Sequence, residues 1–151
     1  MLLCANSLVE ETLAHLQEAG KSGLECIVLW LGIREGDDVR VVSAYRPQQA
    51  ARRDQFLISP REMASIMELL REHRWMIAAQ VHSHPFEAFH SRADDEGAIV
   101  RHQGALSFVV PWFAAKTSRQ TFLSDVAIYA LAAGDRWVEI LVKETSCTIE
   151  S

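Results

Sequence analysis

Residues 75–85 read Trp-Met-Ile-Ala-Ala-Gln-Val-His82-Ser83-His84-Pro85. The apolar first part predicts a buried β-strand, and the proline ends regular strand pairing. Alternate strand residues project to the same face, so His82 and His84 can meet one metal ion. Two histidines at this spacing are more often ordinary surface or core residues. Support for a metal site therefore has to come from the rest of the chain.

Helix and strand patterns alternate on both sides of this strand. Ser59-Pro-Arg-Glu62 combines an N-cap, a proline at the first helical position and the Glu of a capping box, which predicts a helix. Ser7-Leu-Val-Glu10 is a similar pattern and predicts a helix ending at Gly20. Further strands are predicted over residues 24–33, 39–44, 105–110, 125–131 and 137–142, and a short helix over 91–101. This alternation predicts one mixed α/β domain over residues 1–151.

Composition narrows the class of partner. The chain has 151 residues, of which 49% are hydrophobic and 23% charged, so it can bury a core as a single domain. The formal net charge is −5, and neither half of the chain is basic. We therefore expect no nucleic-acid partner and no anionic membrane surface. Arg46, Arg52 and Arg53 could form a local basic patch, although a solvated loop is the favoured interpretation.

The cysteines and the N-terminal residues bear on localisation. Cys4, Cys26 and Cys147 are odd in number, scattered and without a CxxC pair, which argues against a disulfide framework and a zinc knuckle. The first six residues lack the basic start of a signal peptide, and no apolar run approaches the roughly 20 residues of a membrane helix. We expect a cytoplasmic protein.

A carboxylate and a possible base accompany the two histidines. In Ser91-Arg-Ala-Asp94 the carboxylate follows His84 by ten residues, near enough to fold back as a third ligand. Two imidazoles and one carboxylate leave the fourth position of Zn²⁺ open for water, as in hydrolytic sites. Glu25 stands among apolar residues and is the candidate general base. The alternatives are a helix cap for Ser91 and Asp94, and a solvent-facing edge position for Glu25.

These residues match a family pattern. Glu25, then His82-Ser-His84-Pro, then Ser91-x-x-Asp94 resembles the JAMM/MPN metalloprotease signature, in element order over roughly residues 1–142. The resemblance implies an MPN-type mixed β-sheet flanked by helices, with cytidine-deaminase-like layering. It also implies zinc held by His82, His84 and Asp94, with Glu25 as acid/base and Ser91 stabilising the oxyanion.

One departure concerns the loop after His84. It holds six residues, 85–90, where deubiquitinase members of the family usually have seven, so Asp95 is an alternative ligand to the favoured Asp94. Phe86, Phe89 and His90 line this loop and could shape a groove for an extended peptide tail. Plain loop packing is the alternative.

The chain lacks the long insertions of the larger deubiquitinases and is similar to compact bacterial peptidases encoded in ubiquitin-like conjugation operons of antiviral function. This resemblance implies cleavage after the C-terminal tail of a ubiquitin-like protein, in maturation or deconjugation. The implied partners are that protein, its conjugates, and the activating and conjugating enzymes of the operon. Action on a sulfur-carrier tail or a small peptide is one alternative, and an inactive MPN scaffold is another.

Overall fold

A computed structural model describes residues 1–51, 56–89 and 91–151. The strands in chain order are β1 (Leu2–Ala5), β2 (Ile27–Glu35), β3 (Asp38–Tyr45), β4 (Ala50–Ala51), β5 (Phe56–Leu57), β6 (Met76–Ser83), β7 (Leu106–Val110), β8 (Ala127–Ala132), β9 (Arg136–Ile140) and β10 (Cys147–Glu150). The helices are α1 (Asn6–Lys21), α2 (Pro60–His73), α3 (Arg92–Gly97) and α4 (Phe122–Asp125), with single 3₁₀ turns at Trp112–Ala114 and Val142–Glu144.

Eight of the strands form one mixed sheet in the order β10-β1-β3-β2-β6-β7-β8-β9, and β4 pairs with β5 apart from it. The pairs β1–β10, β1–β3 and β6–β7 are parallel, and the others in the large sheet are antiparallel. The predicted mixed sheet flanked by helices is confirmed. The hairpin predictions at 24–44 and 125–142 are also confirmed, with strand ends shifted by up to three residues.

Strand β2 is apolar on both faces because both are covered. Val28 and Trp30 pack with α1 residues such as Leu16 in one core, whereas Ile27 and Leu29 pack with α2 residues in the other. This is why residues 27–31 read as a continuous apolar run without alternation. The central strands are thereby fixed between two helical layers.

The N-terminal capping prediction is wrong. Helix α1 begins at Asn6, and its N-cap is Ala5, whose side chain has no acceptor. Strand β1 leads straight into the helix, which places Ser7 inside the first turn. The N-cap and first-position proline predicted for α2 are confirmed, since the Ser59 hydroxyl accepts the Glu62 N–H at 3.1 Å. The Glu62 carboxylate, expected to complete a capping box, accepts instead from the Tyr45 hydroxyl at 2.6 Å.

The helix predicted over 91–101 is shorter than expected. It ends at Gly97, because the chain then turns to bury Ala98 and Val100. His102 follows in an exposed bend. Trp112 is 40% exposed, although tryptophan beside a strand is usually part of the core. Arg52 and Arg53 of the basic patch lie outside the described residues.

All three cysteines are buried free thiols. Among the helices of the described ranges, none is both long and apolar enough to cross a membrane. The cytoplasmic location stays a prediction.

Candidate metal centre

The two histidines lie where β6 ends, between two neighbouring strands. His82 is opposite Ile27 of β2 on one side and Val109 of β7 on the other. His84 comes one residue after the strand, and its N–H still donates to the Val110 carbonyl at 2.9 Å. The His84 carbonyl accepts the Phe113 N–H at 2.8 Å. Both side chains are buried, on a backbone that the sheet holds in place.

Asp94 reaches the histidines from the first turn of α3. The Ser91 hydroxyl accepts the Asp94 N–H at 3.1 Å, and Asp94 Oδ2 accepts the Ser91 N–H at 2.8 Å. This reciprocal capping box fixes the carboxylate at the helix start. Ser91 and Asp94 therefore cap α3, and Asp94 also lies beside the two histidines. The two interpretations of this motif hold together.

One carboxylate oxygen joins the three side chains. Asp94 Oδ2 lies 3.3 Å from His82 Nε2 and 3.0 Å from His84 Nε2. Burial alone would raise the pKa of Asp94, but the hydrogen bonds with His82 and His84 outweigh burial and hold the pKa well below its usual range. The carboxylate is therefore ionised, as a metal ligand has to be.

The donor set fits a metal ion. Ligand atoms of the three residues all lie within 4.8 Å of one another, and each residue is buried. Zinc–ligand bonds of 2.0–2.2 Å in a tetrahedron separate two ligand atoms by about 3.4 Å. The distances of 3.3 and 3.0 Å are close to that value. The residue types and their spacing are therefore those of a site for a divalent ion.

Glu25 lies beside this group and not on a strand. It precedes β2 and is buried, with Oε1 4.0 Å from His84 Nε2, so the expected alternative of a solvent-facing edge residue is wrong. Two side chains fix the backbone next to it. The Ser83 hydroxyl accepts the Cys26 N–H at 3.1 Å, and the Gln49 amide bonds to both the N–H and the carbonyl of Ile27.

Comparisons with known proteins decide the family. The family model described as prokaryotic homologs of the JAB domain matches residues 5–123. The chain belongs to this family. Over 132 residues this JAB domain is 33% identical to a probable metalloprotease, y4jG, of Sinorhizobium fredii, covering 84% of the chain and 79% of that protein. The solution structure of protein DSY2949 from Desulfitobacterium hafniense has the same fold, with a TM-score of 0.72, 21% identity, and coverage of 99% and 93%.

The JAMM/MPN resemblance is thus confirmed at family level, and family and relative together support a metallopeptidase. Within the JAB domain Asp94 joins the histidines, whereas Asp95 is exposed and outside the group. Phe86 and Phe89 are 53% and 52% exposed beside the site, and the Phe89 ring meets the His84 ring edge-on at 4.7 Å. His90 lies outside the described residues.

Sequence reasoning missed several residues that support the JAB site. Ser83 and Gln49 hold the segment after Glu25, and Gln80 bonds to the segment after α3. The one available signal was a polar Gln80 within an apolar strand. Exposed Trp112 was missed because tryptophan beside a strand is usually core; here its ring meets the Phe86 ring edge-on at 6.0 Å.

Proposed function

We propose that this JAB domain is a zinc-dependent isopeptidase or peptidase that cleaves after the C-terminal tail of a ubiquitin-like protein. The cleavage would either mature that protein or release it from a target. The observation that carries the catalytic part is the buried convergence of His82, His84 and Asp94, with the Glu25 carboxylate beside them. The substrate part rests on the sequence resemblance and on the exposed aromatic side chains at the site.

In this proposal His82, His84 and Asp94 would hold the zinc ion. The ion would supply Lewis-acid activation of a water molecule and of the scissile carbonyl. Glu25 takes a proton from the attacking water and passes it to the leaving amine nitrogen. Burial of the Glu25 side chain keeps bulk water from competing for that proton.

Ser91 stabilises the oxyanion that develops on the scissile carbonyl. In the helix cap, the Ser91 hydroxyl oxygen accepts a hydrogen bond from the Asp94 N–H, and the hydroxyl proton takes no part in that bond. A serine can accept and donate at once, so the proton can point to the substrate. Because the cap holds Ser91 at the helix start, the donor is already in place before substrate arrives.

The substrate tail would lie across an aromatic surface, defined as Phe86, Phe89 and Trp112. Each of the three side chains is between 40% and 53% exposed. The backbone N–H of Trp112 donates to the Phe86 carbonyl at 2.9 Å. Exposed aromatic side chains of this kind offer a large contact area at low entropy cost. We expect the activating and conjugating enzymes of the same system as further partners, in the cytoplasm.

Glu25→Gln and His82→Ala test the chemistry. We expect Glu25→Gln to keep about one zinc per chain by elemental analysis but to lose cleavage of a ubiquitin-like fusion. His82→Ala should lose both the metal and the activity. The matched control is Glu62→Gln, since Glu62 is a buried carboxylate that bonds to Tyr45 elsewhere in the fold. Wild-type cleavage rates in Glu25→Gln would refute the proposed mechanism.

Phe86→Ala tests the substrate surface. We expect a higher KM for the fusion with metal content unchanged, because the proposal places Phe86 against the substrate tail and not among the metal ligands. Leu141→Ala is the control, as Leu141 is 58% exposed directly after the edge strand β9, three strands away from β6. Cleavage of a short carrier-tail peptide, with no cleavage of any folded fusion, would instead favour the sulfur-carrier alternative.

A further inference from the structure

Gln80 is a buried amide in an apolar part of β6. Its side chain is 1% exposed, and its neighbours Ala79 and Val81 belong to the core under α1. Burying an amide is costly unless its polar atoms are hydrogen-bonded. Both ends of this amide are bonded: Nε2 donates to the Ser107 hydroxyl at 3.1 Å, and Oε1 accepts the Ile99 N–H at 2.9 Å and the Val100 N–H at 3.5 Å.

The two backbone donors belong to the segment that follows α3. This helix has six residues, too few to be stable without outside contacts. The position of Asp94 therefore depends on what holds the two ends of α3. Ser91 caps the N-terminal end. At the C-terminal end, Gln80 binds residues 99 and 100, and the Arg101 side chain donates to the Ala98 carbonyl at 3.2 Å.

Gln80 connects this segment to the strand that carries His82. The two residues are two apart on β6 and so lie on the same face of the sheet. The strand itself is held on both sides by β2 and β7. Burial of Ala98 and Val100 keeps the segment against the sheet, while the amide sets where along β6 it sits.

We propose that Gln80 is a positioning residue of the metal centre. By accepting the N–H groups of Ile99 and Val100, it sets the distance between Asp94 and the two imidazoles. The inference rests on the proposed function only in so far as these residues bind a metal ion. It does not depend on which substrate is cleaved, and it holds even if the domain cleaves none.

The test measures Co²⁺ binding to the full chain by competition with a chelator, together with the visible absorption spectrum of the bound ion. Gln80→Met keeps the size of the side chain and removes both hydrogen-bonding ends. We expect it to weaken Co²⁺ binding by about tenfold, the lower end of the range for loss of a direct hydrogen bond to a metal ligand, because Gln80 acts on Asp94 through the backbone that follows α3. We also expect an altered spectrum and faster hydrogen exchange at the Ile99 amide.

Two control variants separate positioning from stability. Ser107→Ala removes the partner of Nε2 and leaves the bonds to Ile99 and Val100, so Co²⁺ affinity should stay close to that of wild type. Thr12→Val disrupts a different buried hydrogen bond, from Trp30 Nε1 at 2.9 Å, in the core under α1. It should lower the melting temperature without weakening Co²⁺ binding.

Several results would overturn the inference. Co²⁺ affinity and spectrum unchanged in Gln80→Met would do so, as would an equal loss of affinity in Thr12→Val. If Gln80→Met does not fold, Gln80→Asn replaces it, because the shorter amide stays polar but cannot reach Ile99, and the same loss is expected. Wild-type protein that binds Co²⁺ but cleaves nothing contradicts the proposed function and leaves this inference standing. Protein that binds no metal contradicts both.

Discussion

Replacing Gly20 by Ala would disturb a tight contact between α1 and the turn after β7. A Cβ atom on Gly20 would lie 2.5 Å from Phe113 Cβ and 3.1 Å from the Phe113 carbonyl oxygen. The turn Trp112–Ala114 has φ angles of 56°, 51° and 61°, a left-handed conformation that costs about 1–2 kcal/mol for each such residue. Contacts from the rest of the protein must hold it, among them the bond from Gln17 Nε2 to the Ala114 carbonyl at 3.0 Å.

Two opposing effects set the size of the change. Gly to Ala stabilises the interior of a helix by up to about 1 kcal/mol, and less at the last residue but one of α1. The new contact would be about 1 Å inside the favourable carbon–carbon distance. Overpacking costs about 1–3 kcal/mol. The upper half of this range applies, because the backbone fixes both Phe113 atoms that the new Cβ atom would contact. We expect a net loss of about 1–2 kcal/mol.

Thermal unfolding followed by circular dichroism measures this loss. For a chain of this length about 1 kcal/mol corresponds to a melting-temperature shift of about 2–4 °C, so Gly20→Ala should melt about 2–8 °C lower. Metal affinity should also fall, because the Phe113 N–H holds the His84 carbonyl. In a Phe113→Gly background, which removes the Cβ and suits a positive φ, the same substitution should cost less than about 0.5 kcal/mol. Equal or higher stability of Gly20→Ala in the wild-type background would refute the reasoning.

Three other predictions concern the cap of α2, the Tyr45 hydroxyl and the cysteine thiols. Ser59→Ala removes the N-cap of α2 and should cost about 1 kcal/mol in urea denaturation, and no change would contradict the cap. Burial, and then the hydrogen bond to Glu62, raise the pKa of Tyr45 to about 12. The folded chain thus keeps that proton longer than the unfolded chain, so stability should fall as pH rises from about 10 to 12, and less steeply in Tyr45→Phe. Burial raises the pKa of all three cysteine thiols, so none should react with a disulfide reagent at pH 8 until denaturant is added.

The candidate site was readable in sequence because most of it is local. His82, His84, Ser91 and Asp94 lie within thirteen residues, and strand alternation and a capping pattern give their rough directions. Glu25 is distant in sequence, and its apolar neighbours made it conspicuous. Its burial beside His84 was not predictable, since it depends on the pairing of β2 with β6.

The missed features all depend on contacts between distant segments. Strands β1 and β10 have four residues each and pair in parallel across nearly the whole chain, which no local pattern reveals. The left-handed turn after Pro111 contains no glycine, so nothing in its composition predicts a positive φ. Likewise, a buried glutamine such as Gln80 is visible in sequence, but its partners at residues 99 and 100 are not.

The three ligands differ in how the fold holds them. His82 and His84 take their backbone positions mainly from hydrogen bonds with β2 and β7, which substitutions at single side chains disturb little. The bond from the Phe113 turn to His84 is the exception, since Gly20→Ala would disturb that turn. Asp94 stands on a six-residue helix held by the Ser91 cap, Gln80 and Arg101. Side-chain bonds, unlike a sheet ladder, can each be deleted by one substitution. Loss of metal affinity from remote substitutions should therefore arise mainly through Asp94, and such substitutions should concentrate in the segment from 91 to 101 and in the side chains that bond to it, such as Gln80.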